Sequence, residues 1–308
     1  MTKRLQNKVA ESRLTLPLTA VYAAVVWIAC GLLASEMWPQ FICFVVSATL
    51  MVEINNSNAL IRIYTRTVSS TFIVLSCATP ALFTSLAGAI VQLCFIATLL
   101  LAFRTYQDYD AVGWTYYASL CLSIGSTVWV QALYFVPVMW LLMAFALMSL
   151  SWRTWAASII GIITPYWFLA AWHIYDGSMN VMADHFRSLT LYIYPYDYSS
   201  VTVAQILVYA FVTVAAVTGT IHFLRQSHND KIRIRQLYHF FMWMFLAAAA
   251  FLAVQPQHYD ILIRMMIVCC SPLLAHFLSL TYTRITNVAF CLFTVVILLI
   301  TAYNIWTL

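Results

Sequence analysis

The sequence predicts an all-α integral membrane bundle, and three observations carry that prediction. Hydrophobic residues make up 64% of the 308-residue chain and charged residues only 8%. Soluble domains carry about 25% charged residues, so this chain cannot coat a water-soluble core and must be solvated mainly by lipid. The apolar residues gather into runs of bilayer-crossing length, about 20 residues at ~1.5 Å each. The basic residues gather between those runs, as loops on one side of a membrane do.

Taken in order, the runs predict about eleven membrane-crossing helices. The first, about 14–34, follows a basic stretch, Lys3, Arg4, Lys8 and Arg13. It mimics a signal peptide, but it is long enough to span and lacks a small-x-small cleavage site before Ser35, so an uncleaved first crossing is expected. No lipidation motif stands at either end. The next runs are about 38–54, 67–86, 88–104, 112–131, 133–150 and 155–174, with a tight turn at 85–88. A longer loop, His173–Ser200, precedes the last four, about 201–223, 238–255, 261–280 and 285–306.

Orientation follows from charge. With a cytoplasmic N-terminus and strict alternation, all but Arg187 and Arg264 of the 15 basic residues fall on the cytoplasmic side, and the C-terminus is periplasmic. Trp38, Trp129, Trp172 and Trp306 then mark the outer interface, and Trp114, Trp152 and Trp155 the inner one. Trp27, Trp140, Trp167 and Trp243 lie deeper and are expected to pack inside the bundle. Pro80, Pro137, Pro165 and Pro272 fall within runs, where a missing N–H kinks a helix. No internal repeat or linker divides residues 1–308, so a single domain is expected.

The function classes excluded are those with recognisable motifs. There is no phosphate-binding loop, dinucleotide fingerprint, nucleophile elbow or zincin motif. The eight cysteines all sit in apolar runs without metal-ligand spacing, which makes them packing residues; no metal and no cofactor are expected. The net charge of +5 is dispersed over short loops and does not form a nucleic-acid surface.

Two polar clusters stand out. Met51–Arg66 is the first dense one. Read as a helix, Asn55, Asn58, Arg62 and Arg66 are spaced 3, 4 and 4 apart and share a face. With Glu53 they can hold a cation or relay a proton; the plainer expectation is that Glu53 caps the helix and pairs with Arg62 or Arg66. The outer loop, 175–200, is the second. Met179, Met182, Phe186 and Leu189 form one face of a short interfacial helix. Tyr192, Tyr194, Tyr196 and Tyr198 then alternate, and in an extended segment their rings project to one side. The plain reading is a headgroup anchor. The sharper one is a platform for a sugar or lipid headgroup, with Asp176, Asp184, His185, Arg187 and Asp197 as polar partners. Arg264 joins them as an intramembrane charge, with Asp260 at i,i+4 and an outward snorkelling route. His276 is read as a hydrogen-bonded bundle histidine, and Arg225–Arg235 (RQSHNDKIRIR) as a solvated cytoplasmic turn.

NALIRIYTRT leading into an apolar helix and a hairpin, with GIITPYW on a later run, resembles an uncharacterised polytopic inner-membrane family of Bacteroidota. The resemblance implies a Gram-negative inner membrane and no particular activity, so no residue gains a role from it. Three functional classes follow. A non-catalytic assembly protein of the cell envelope comes first, with membrane lipids and other inner-membrane proteins as its partners. A lipid or small-solute carrier and a membrane-embedded glycan or lipid transferase are the alternatives.

Overall fold

The computed structural model describes residues 4–190, 198 and 201–307. Among them all regular structure is helical: α1 (Leu5–Glu11), α2 (Thr15–Ala29), α3 (Trp38–Asn58), α4 (Thr67–Cys77), α5 (Leu86–Ala102), α6 (Val112–Val128), α7 (Phe135–Phe145), α8 (Trp152–Tyr175), α9 (Met179–Arg187), α10 (Val203–Gln226), α11 (Ile232–Val254), α12 (Tyr259–Leu280) and α13 (Arg284–Trp306). Each predicted run contains one helix; α1 and α9 are additional.

By length and composition alone, 7 helices among the described residues can cross a bilayer, or 8 if α1 and α2, bent by 91°, act as one span. Four predicted runs fall outside the seven: the first belongs to the bent pair, α6 reaches only 17 residues, and the other two are broken. The run predicted over 67–86 is broken: α4 stops at Cys77 after 11 residues, about 16 Å of helix. Pro80 then opens a 3-10 turn, Pro80–Leu82, so it ends a helix instead of kinking one. The run predicted over 133–150 begins as a 3-10 turn and leaves the helix at Phe145. Pro165 and Pro272 do lie inside helices.

One helix is enclosed by the others. In α12, 94% of the apolar window is buried, against 17% in α13 and 22% in α8. A helix that is apolar on all sides belongs in the interior of a bundle, and α12 packs against α4, α5, α10 and α11. The peripheral helices expose large apolar side chains such as Leu18, Phe145, Phe168 and Ile285, a surface suited to lipid and not to water. Trp167 and Trp243 belong to that surface, at 72% and 57% exposure, so they face outward and do not pack inside as expected; Trp27, at 2%, does pack inside.

Lipid tails are as apolar as leucine, so helix association here rests on close packing and hydrogen bonds. Glycines supply the closeness at two seams. A Cβ on Gly219 of α10 would lie 2.5 Å from the Leu273 backbone of α12, and one on Gly161 of α8 would lie 2.6 Å from Tyr116 O of α6. Hydrogen bonds between helix ends supply the rest, and they fall into two groups. At one end, Asn304 Nδ2 donates to Ala78 O (2.7 Å), Tyr259 Oη to Gln205 O (3.2 Å) and Trp129 Nε1 to His258 Nδ1 (3.2 Å). At the other, Gln6 Nε2 donates to Leu278 O and Thr281 Oγ1 (both 2.6 Å), Arg233 Nη2 to Asn58 Oδ1 (2.9 Å), and Thr67 and Ser279 share a bond of 2.7 Å. The basic N-terminal stretch is thus no mere tail: α1 tucks Gln6 and Asn7 under the C-terminal end of α12.

The glycine seam generates a prediction. Gly219→Ala should lower the unfolding free energy of the purified protein by about 1–3 kcal/mol, because the added methyl meets backbone that cannot yield. Gly113→Ala, whose Cβ would meet nothing within 4 Å, should leave the unfolding temperature unchanged or slightly raised. Thermal unfolding in detergent, followed by circular dichroism, compares the two.

Candidate functional site

Near the C-terminal end of α12 a buried chain of ionisable groups crosses four segments. His276 is fully buried on α12, and its Nε2 lies 3.1 Å from Asp230 Oδ2 in the loop before α11. Its Nδ1 lies 3.2 Å from Nδ1 of His222 on α10. Asp230 also lies 3.0 Å from Nε of Arg62, in the segment after α3, a charge pair without hydrogen-bond geometry. The Asp230 side chain is 0% exposed and that of Arg62 39%, so the cation closes the cluster at its wet edge. Phe223 and Tyr238 pack their rings 5.3 and 5.0 Å from the His276 ring and keep water from its faces.

Hydrogen bonding assigns the protons. An ionised Asp230 only accepts, so His276 donates from Nε2; its Nδ1 is then an acceptor and His222 donates from Nδ1. His222 Nε2 is left as a buried acceptor with no partner among the described residues. A proton arriving there can pass through both imidazoles to the carboxylate.

The predicted inner-face cluster is rearranged. Met51–Arg66 is not one helix: α3 ends at Asn58, and Ala59 adopts φ 49°, a left-handed turn that puts Arg62 and Arg66 outside the helix. Asn55 Nδ2 donates to Thr65 O (3.0 Å), which fastens that turn, and Asn58 receives Arg233. Glu53 is exposed, and neither Arg62 nor Arg66 reaches it in an ion pair: Arg62 goes to Asp230, and Arg66 donates to Tyr64 Oη. The Arg225–Arg235 turn is not uniformly solvated, since Asp230 turns inward and is 6% exposed.

The predicted outer-face residues separate. The interfacial helix forms as α9, with no buried residue, and Asp184 and Arg187 make an exposed i,i+3 pair at 3.1 Å. His185 bonds Ser126 O at 3.1 Å, and Asp176 follows the end of α8 in the open. Asp197, with Tyr192, Tyr194 and Tyr196, lies outside the described residues. Arg264 does pair with Asp260, at 3.0 Å, but its guanidinium does not reach solvent: its side chain is 11% exposed and its remaining bonds go to Gln92 Oε1 and Leu82 O. Gly88 makes room for it: a Cβ there would lie 2.8 Å from Arg264 Nε and from Asp260 Oδ2.

Among the described residues no group of three or more His, Cys, Asp and Glu side chains is arranged to hold a metal ion. No family model, no curated protein and no solved structure matches the chain. Fold and site together define a multi-pass helical membrane protein with a buried Asp–His–His chain.

Two outcomes separate the buried cluster from its surroundings. Asp230→Ala should cost about 3 kcal/mol, because it strands a guanidinium and a buried imidazole; Lys231→Ala, one residue on and exposed, should stay within about 0.5 kcal/mol. Chemical denaturation of both proteins measures the contrast. Asp184→Ala and Arg187→Ala, which break only an exposed pair, should leave membrane abundance intact on immunoblots.

Proposed function

We propose that this protein is a proton-linked carrier of a small polar solute. The buried Asp230–His276–His222 chain is the observation that favours this over a non-catalytic assembly role. Ionisable groups kept inside a membrane bundle are costly, and where they form a connected chain they serve proton movement. A structural partner protein needs helix packing, not three titratable groups in hydrogen-bonded sequence. The transferase alternative has less support, because the outer-face groups it would use are not gathered: Arg264 is paired inside the bundle, and Asp184 and Arg187 pair with each other.

In this reading all eleven predicted segments cross the membrane, with the N-terminus cytoplasmic and the C-terminus periplasmic. The two groups of helix-end hydrogen bonds support the alternation, since successive long helices join opposite groups. The short α4 is completed by its 3-10 turn, and α7 by the turn before it. The Asp230 cluster then lies on the cytoplasmic side and Arg264 on the outer side. The resemblance to Bacteroidota proteins points to the inner membrane of a Gram-negative envelope. A lipid carrier is the second reading. It is favoured by a groove of about 590 Å³, apolar along Leu18, Val74, Phe211 and Phe293, with Lys8 at its lining for an anionic headgroup.

The test is a pH gradient imposed on proteoliposomes carrying an internal pH dye. Some small polar solute should collapse the gradient faster with the protein than without it. His276→Gln should slow that collapse by about tenfold or more while leaving the elution profile of the protein unchanged. A gradient decaying at the protein-free rate with every solute class tried would sink the proposal. Acceleration by lipid scrambling substrates alone would favour the second reading.

A further inference from the structure

The α1–α2 segment and α13 meet at two points and part between them. Tyr22, midway along α2, shares a 2.9 Å bond with Thr301 of α13. At the other point α1, which meets α2 at 91°, is fastened to the same helix: the Gln6 N–H donates to Asn287 Oδ1 at 3.1 Å. The gap between these points is the groove of about 590 Å³, with α4, α10 and α12 also in its walls. Leu18, 68% exposed, stands on its open side. Thr67 and Leu75 of α4 both line the groove, and the helix between them is about 12 Å long. One leaflet of hydrocarbon is about 15 Å deep. The groove therefore runs through most of one leaflet, starting from the side on which α1 lies.

Its body and its mouth differ in chemistry. The body carries several hydroxyls, but they are spent on backbone carbonyls: Thr19 donates to Leu16 O (3.0 Å), Thr71 to Thr67 O (2.7 Å) and Thr294 to Phe290 O (2.8 Å). An occupant there meets carbon. The mouth holds Lys8 and Ser12. Ser12 Oγ accepts from the Leu14 N–H at 3.1 Å, which leaves its own hydrogen for an outside acceptor. Among the described residues Lys8 is the one charged group in the lining. It belongs to a stretch, residues 4–13, in which Arg4, Lys8 and Arg13 face a single acid, Glu11.

We propose that this groove binds one anionic phospholipid of the phosphatidylglycerol class. The phosphate sits at Lys8 and Ser12, one acyl chain fills the groove, and the second chain lies in the bilayer beyond the open side. Water cannot fill an apolar slot at this depth, because nothing in the body would hydrogen-bond it. A wholly apolar molecule would leave the donors of the mouth without an acceptor. A zwitterionic lipid would bring its ammonium against the basic stretch, whereas a net anion is attracted by it. This site does not rest on the proton-linked reading. Binding is measured without transport, so its failure and the failure of that reading are separate results.

The experiment is native mass spectrometry of the detergent-purified protein, with phosphatidylglycerol and phosphatidylcholine of identical chains added in turn. The wild type should retain one phosphatidylglycerol at concentrations where phosphatidylcholine is lost. Lys8→Glu should weaken that retention by about tenfold or more. Lys231→Glu, exposed in another loop, should leave it unchanged. Leu18→Trp, which puts an indole into the groove from its open side, should abolish it without altering the elution profile. Phosphatidylglycerol should also raise the unfolding temperature of the wild type along a saturating curve, as a ligand of the folded state does. Equal retention of the two lipids, retention of a free fatty acid in place of phospholipid, or equal losses for Lys8→Glu and Lys231→Glu would each overturn the assignment.

Discussion

The enclosure of α12 is the constraint on which the other features depend. A helix with 94% of its apolar window buried has no lipid face and no water face. Every polar group it carries must find its partner inside the protein, on its own preceding turn or on a neighbouring segment, since nothing else is in reach. Arg264, Ser271, His276 and Ser279 all meet that requirement by hydrogen bonds to protein atoms. The surrounding helices are positioned by these bonds as much as by packing, because burial of apolar surface confers little when the solvent is itself apolar.

Both buried charge clusters follow from the same geometry. At one end of α12, an acid supplied by a loop and a histidine supplied by α10 meet His276 out of water. At the other, a guanidinium is neutralised by Asp260 one turn earlier and braced by α5, where Gly88 leaves space that any side chain would fill. The two centres lie twelve residues apart along one helix, about 18 Å. A rigid helix bearing a titratable chain at one end and an ion pair at the other joins the two faces of the bundle through one element.

Much of the fold was legible in composition and periodicity. Long apolar runs, few charges and loop-confined basic residues define helices in lipid, and the helix cores fall where those runs fall. The breaks were harder to read. Pro80 looks like an interior proline until the chain is seen to leave α4 two residues before it. Ala59 carries no signal of its left-handed φ, which is imposed by Asn55 bonding the Thr65 carbonyl and by the packing of Leu60 and Ile61. The site was less legible still. Asp230 stands among Arg225, Lys231, Arg233 and Arg235 and reads as one charge in a solvated turn. Its sign, a lone acid in a basic loop with histidines on the two helices nearby, was the available clue.

Sequence alone determined what surrounds this protein, because the solvent of a chain is set by the sum of its side chains and needs no knowledge of which contacts which. It also determined that Arg264 would answer to Asp260, since i,i+4 neighbours meet in any helix. Which helix is innermost, which carboxylate reaches His276, and which amide meets Arg264 were decided only by tertiary structure. Those pairings join residues 46 to 172 positions apart in the chain, and no local pattern encodes a contact made when distant helices close on one another.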